Sequence, residues 1–124
     1  MHLLIYIAIG GALGAMLRFT ISSGIHRLAG TGFPYGTLTV NVLGSLAIGF
    51  LYVLMLERGA MNAEWRALMI TGLLGALTTF STFSLETLNL IESGELAKAG
   101  INVLLSVIVC LICTWAGVVV GRTI

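Results

Sequence analysis

The stretch GALTTFSTFSLE, Gly75 to Glu86, sets five hydroxyls, two phenylalanines and a carboxylate inside a segment whose neighbours are Leu, Ile, Met and Ala. No charge interrupts the 19 residues from Ala67 to Leu85, and about 20 apolar residues cross a bilayer. Working outward, Tyr35 to Leu56 gives a second uncharged window of 22 residues and Ala99 to Gly121 a third of 23. The whole chain is 58% hydrophobic and 9% charged, whereas soluble domains are about 25% charged. These windows define an all-α membrane protein.

A fourth apolar segment, Leu3 to Ile25, is broken only by Arg18. That arginine lies close enough to the segment's end for its stem to snorkel toward the headgroups. A signal peptide is the competing reading. The leading residues, however, carry only the amino terminus and His2, and no A-x-A site follows the apolar run. The expected organisation is one four-helix transmembrane domain over residues 1–124, with spans at 3–26, 35–56, 66–91 and 98–122. The connectors, about Arg27 to Pro34, Glu57 to Arg66 and Glu92 to Lys98, leave no room for a soluble domain. His26 is read as a loop residue beside the first of them.

Net charge is +1 without a basic run, so nothing favours nucleic acid or an anionic lipid patch. Low-complexity tracts and internal repeats are absent. Cys110 and Cys113 share one helix face, but no Cys or His stands near them in sequence to complete a metal site, and they read as small packing residues. Gly10 and Gly14 form a G-x-x-x-G, as do Gly117 and Gly121; Gly44, Gly49, Gly72 and Gly75 add further small positions. In lipid such residues let helix backbones approach closely.

Four spans put both termini on one side. Arg58, Arg66 and Arg122 then lie on that side, against Arg27, Lys98 and Arg18 on the other. A tally of three against three gives the positive-inside bias no purchase, so the chain is expected to insert both ways. Two oppositely oriented copies would pair about an axis in the membrane plane, which makes a dual-topology antiparallel homodimer the expected assembly.

On a regular helix, Thr78, Thr79, Ser81, Thr82 and Ser84 would spread over more than half the circumference, with Phe80 and Phe83 on most of the rest. No wide aliphatic face would remain for lipid. Either protein walls the segment in, or the helix breaks near Gly75 to Thr79 and turns hydroxyls and freed carbonyls into a cavity. The bland reading is that each hydroxyl bonds back to the preceding turn. Five in seven positions beside a carboxylate favour the cavity. Asn41, near the middle of the second span, needs a partner or water of its own. Glu86 either reaches the interface or caps a polar path.

No nucleophile, base and orienter stand together, no phosphate loop occurs, and metal-ligand spacings are missing, so the sequence does not read as an enzyme. A line of neutral donors, aromatic rings and one Asn suits a small anion that accepts strong hydrogen bonds, since ring edges carry partial positive charge.

GGALGAMLRF at Gly10 to Phe19, GTLTVNVLGS at Gly36 to Ser45 and GLLGALTTFSTFSLE at Gly72 to Glu86 resemble the three signatures of the Fluc (CrcB-type) fluoride channels. The resemblance covers essentially the whole chain; one departure is Arg-Phe at the end of the first signature, where Arg-Tyr is common. It implies a multi-pass protein of the bacterial inner membrane that exports fluoride passively and protects the cell from its toxicity. The assembly it implies is a dual-topology homodimer with two pores in the lipid bilayer. Phe80 and Phe83 would be the pore-lining rings and Asn41 a donor to the ion. Ser81, Thr82, Glu86, Thr114 and Ser106 would form a polar track beside them, and Arg18 would draw anions to the vestibule. Gly75 and Thr78 would lend backbone carbonyls from both subunits to a structural sodium ion at the dimer centre.

Two other classes compete. A small four-helix multidrug exporter wants a membrane-embedded Glu in its first helix, and the first span has no acidic residue. A purely structural or assembly subunit would use Phe80 and Phe83 only for packing.

Overall fold

The computed structural model describes residues 1–124. Its elements are α1 (His2–Ala29), α2 (Tyr35–Glu57), α3 (residues 63–77), α4 (Phe80–Glu92) and α5 (Leu96–Thr123). Together α3 and α4 make the third span, Ala63–Glu92, so four helical segments are long and apolar enough to cross a membrane. The helical pattern extends into the polar connectors. It is halted by Gly30, Gly59 and Gly94, at φ of 89°, 58° and 81°, a conformation that Cβ-bearing residues resist. The expected loop residue His26 therefore stands in the last turn of α1: nothing before Gly30 breaks the helix, and a polar cluster alone does not end it.

α2 lies along α5, and α1 along α3. Both contacts are set by glycine. A Cβ on Gly10 or Gly14 would run into the backbone carbonyls of Leu68 or Leu73, and one on Gly49 or Gly117 into those of Thr114 or Leu46. Bare Cα atoms let carbonyls of the facing helix approach to the distance of Cα–H···O contacts. Part of α3, Ala67–Leu74, and the last turn of α2, Val53–Glu57, wind as π-helix. The first of these is the part of α3 that meets Gly10 and Gly14.

Val40, Leu74 and Leu77 form a small core, with Ile21, Ala47, Ile48, Leu51 and Leu73 against it. Most other large apolar side chains point outward, among them Leu104, Ile108, Leu111 and Trp115 of α5. That is the distribution of a chain solvated by hydrocarbon rather than by water. At the terminal end, Arg122 donates to both carboxylate oxygens of Glu57, the shortest contact being 2.6 Å. His2 meets Glu64 at 3.0 Å there. At the opposite end Lys98 donates to the Gly32 carbonyl at 3.2 Å. Exposed ion pairs of this kind contribute little to stability; they mark where the helices leave the apolar layer.

Because Gly49 abuts the backbone of α5, Gly49→Val should destabilise the bundle by at least about 1–3 kcal/mol. Gly11, with nothing within 4 Å of an added Cβ, should accept Ala. Thermal unfolding in detergent checks the pair: a clearly lower midpoint for Gly49→Val with an unchanged one for Gly11→Ala is the expected result. Equal midpoints would show that close approach is not what fixes α2 on α5.

Candidate functional site

The third span breaks at two residues. Thr78 (φ −84°, ψ 154°) and Thr79 (φ −151°, ψ 124°) are extended, between the end of α3 at Leu77 and the start of α4 at Phe80. A break in lipid exposes peptide groups at a cost of several kcal/mol each unless something pairs them. Asn41 of α2 supplies the pairing. Its Oδ1 accepts from the Thr79 N–H at 2.8 Å and its Nδ2 donates to the Thr79 carbonyl at 3.0 Å. The two bonds fix the amide's orientation, because only oxygen can accept from that N–H. One N–H of Nδ2 is left over.

In a continuous helix the Thr79 N–H would have gone to the carbonyl of Gly75, and the Thr82 N–H to that of Thr78. Instead Thr79 donates to Asn41, while Thr82 donates to Thr79 Oγ1 at 3.3 Å, so the Thr79 side chain caps α4. The Gly75 and Thr78 carbonyls thereby lose the donors that a continuous helix would have given them. Thr79 Oγ1 also donates to Thr82 Oγ1 at 3.2 Å and lies 3.4 Å from Ser81 Oγ. Three of the five hydroxyls thus form a cluster about the cap. The other two follow the bland reading: Thr78 bonds back to Leu74 and Ser84 to Phe80.

Phe80 and Phe83 stand on the first turn of α4 with centroids 5.4 Å apart and planes tilted by 44°. Phe80 is 78% exposed in the single chain, and Phe83 is half-buried. The rings face an open groove of about 460 Å³ between α2, α3, α4 and α5. Its walls include Asn41, Ser45, Gly75, Thr78, Thr79, Ser106 and Cys110, with Ile48, Ile70, Leu74 and Val107 as apolar lining. No Lys, Arg, Asp or Glu is among its lining residues. Such a space can hold a small ion through neutral dipoles and ring edges, and provides no acid, base or nucleophile beyond a free thiol.

The structure therefore brings Asn41, Phe80, Phe83, Ser106, Gly75 and Thr78 together around one groove. Ser81 and Thr82 reach it only through the Thr79 hydroxyl, and Glu86, Thr114 and Arg18 line none of it in the single chain. Glu86 lies farther along α4, half-buried, with Oε1 shielded and unpartnered. Thr114 donates back to the Cys110 carbonyl at 3.0 Å. Arg18 is half-buried on α1.

Two features escaped the sequence reading. One is Thr79, the residue that carries the break, which in the sequence is only one hydroxyl among five. The other is Asn102 on α5, 1% exposed. It donates to Thr87 Oγ1 at 2.9 Å and stands 3.5 Å from the Ser106 hydroxyl. A signal was present: Asn102 and Ser106 are one turn apart and interrupt the apolar run from Ile101 to Cys113.

A family model described as "CrcB-like protein, Camphor Resistance (CrcB)" matches residues 5–118. A relative from Shewanella amazonensis named "Fluoride-specific ion channel FluC" is 56% identical over 94% of both chains. One of the same name from Citrifermentans bemidjiense is 46% identical over the full length of both. A third, from Methylococcus capsulatus, is 56% identical over 94% of this chain, and there the match spans 51%, about half, of the relative's length.

Asn41→Leu should leave the Thr79 N–H and carbonyl without partners, costing roughly 2–4 kcal/mol if each unmade bond costs 1–2. Amide hydrogen exchange of the residues around Thr79 should accelerate well beyond that of α1. Unchanged protection at Thr79 would show that Asn41 does not hold the break.

Proposed function

The chain belongs to the CrcB-like family, and from that membership we infer that it is a passive fluoride-selective ion channel, not an enzyme. It lets fluoride leave the cell across the bacterial inner membrane and so limits fluoride toxicity. The observation that carries this reading is the groove beside the broken span, lined by two phenyl rings, an amide and hydroxyls but by no charged group. A positive charge there would trap an anion, and a negative one would expel it. Neutral donors replace hydration without holding the ion permanently.

In this reading Phe80 and Phe83 offer their positive ring edges to fluoride, and Asn41 offers the N–H left over from its pairing with Thr79. Ser106 and the Ser81–Thr82 hydroxyls continue the polar track, with Glu86 and Thr114 toward its ends and Arg18 drawing anions to the vestibule. Chloride is larger and accepts weaker hydrogen bonds, so a narrow lining with a fixed number of donors would reject it.

The open groove also belongs, in this reading, to an interface in which a second copy of opposite orientation completes two pores. The even distribution of Lys and Arg supports insertion both ways. A sodium ion would sit at the centre of that dimer. The Gly75 and Thr78 carbonyls suit it: both have lost their helical N–H donors, and peptide oxygens are the hard ligands such a cation takes. The ion would supply charge that fastens the two breaks together.

The relatives' names and the unacidic first helix weigh against a proton-coupled drug exporter. A structural subunit is separated by experiment. Liposomes containing the purified protein, loaded with potassium fluoride or potassium chloride and opened with a potassium ionophore, should release fluoride rapidly and chloride negligibly. Absence of fluoride release from a confirmed dimer would refute the channel reading. Phe80→Ile and Phe83→Ile should each slow fluoride release by about tenfold or more, equivalent to at least roughly 1.4 kcal/mol on the barrier, with the dimer intact. Exchange of sodium for a large organic cation should shift the chain from dimer to monomer in gel filtration; an unchanged profile would remove the structural ion.

A further inference from the structure

α4 carries both rings, yet it has no buried residue along its length. Apolar packing therefore fixes it poorly in the chain, and polar contacts must do more of the work. Two such contacts reach it from other helices. The first is the Asn41 pairing at Thr79, immediately before it. The second lies about two turns on, where Asn102 Nδ2 donates to Thr87 Oγ1 at 2.9 Å.

The second contact has a defined direction. Thr87 Oγ1 gives its own proton to the Phe83 carbonyl at 2.7 Å, so it can only accept from Asn102. That places Asn102 Oδ1 toward Ser106, whose hydroxyl donates to it at 3.5 Å. Ser106 lines the groove. A single run of donors thus passes from the groove wall on α5, through a fully buried amide, to the peptide of Phe83 on α4.

We propose that Asn102 is a positioning residue: through Thr87 it ties the Phe83 peptide to α5, and so holds the second ring at a fixed distance from the Ser106 wall of the groove. The proposal rests on the channel reading for its consequence, which is that ring spacing, and with it fluoride passage, depends on a side chain that touches no ion. Its anchoring part concerns the fold alone. Asn102 is 1% exposed, and a buried amide on an apolar helix persists at a cost unless its hydrogen bonds fix something.

The test compares substitutions that a packing role and an anchoring role rank in opposite order. Thr87→Val keeps the volume and loses the hydroxyl; Thr87→Ser keeps the hydroxyl and loses a methyl. An anchor predicts fluoride efflux near wild type for Thr87→Ser and lower by about fivefold to tenfold for Thr87→Val, the weight of one net hydrogen bond. Asn102→Leu should match Thr87→Val, and the double variant should be no worse than either single one. Amide exchange of residues 83–88 should accelerate in Thr87→Val and Asn102→Leu but not in Thr87→Ser, with α1 unchanged as the internal standard. Packing alone would make Thr87→Ser the worse variant and the double effect additive, and either result overturns the proposal. Wild-type protein that passes no fluoride would sink the channel reading, and the exchange comparison would still decide the anchor.

Discussion

Everything in this fold turns on one requirement of the bilayer: a peptide group that leaves its helix must find a partner inside the protein. The third span leaves its helix at Thr78 and Thr79, where hydrocarbon would otherwise surround the chain. The two-bond pairing of Asn41 with the Thr79 peptide satisfies both the N–H and the carbonyl of that residue. It also sends α4 off from α3 as a separate helix with a threonine cap. Without that pairing the hydroxyls would fall back on the preceding turn, as Thr78 and Ser84 do, and the groove would lose its polar wall.

Rigidity elsewhere makes the break possible. Glycine contacts clasp α1 to α3 and α2 to α5 at backbone distance, so Asn41 is presented from a helix that cannot drift. Gly44 serves the same junction, since a Cβ there would strike the Thr78 methyl. Gly75 differs from these: only the Ile70 carbonyl, on its own helix, comes within 4 Å of an added Cβ. Its small size serves the groove more than the packing of the single chain.

Much of this was legible before any coordinates. Three uncharged windows and a fourth apolar segment broken only by Arg18 mark the four spans, and the incompatibility of five hydroxyls and two rings with a lipid-facing helix locates the break. Asn41 was recognisable as a buried amide in want of a partner, but sequence does not say which partner, because the answer depends on α2 and α3 crossing at Gly44. Thr79 is hidden among its neighbours: its hydroxyl caps α4, but its peptide carries the break, and to that side-chain chemistry is blind. The pairing of Asn102 with Thr87 is illegible for a related reason, since it joins residues 15 positions apart through a turn whose geometry no local pattern encodes. Thr114 and Arg18, drawn in by resemblance, stand away from the groove of the single chain.

The carboxamide of Asn41 presents the same donor and acceptor as a peptide bond, and it meets Thr79 as one strand meets another. In an all-helical chain the two bonds reproduce the pattern of one rung of a β-ladder, half of it made by a side chain. Recognition through the main chain is indifferent to the side chain of its target. The rung itself needs only the N–H and carbonyl that every residue except proline supplies, so the side chain at position 79 answers instead to its hydroxyl and to the buried space it fills.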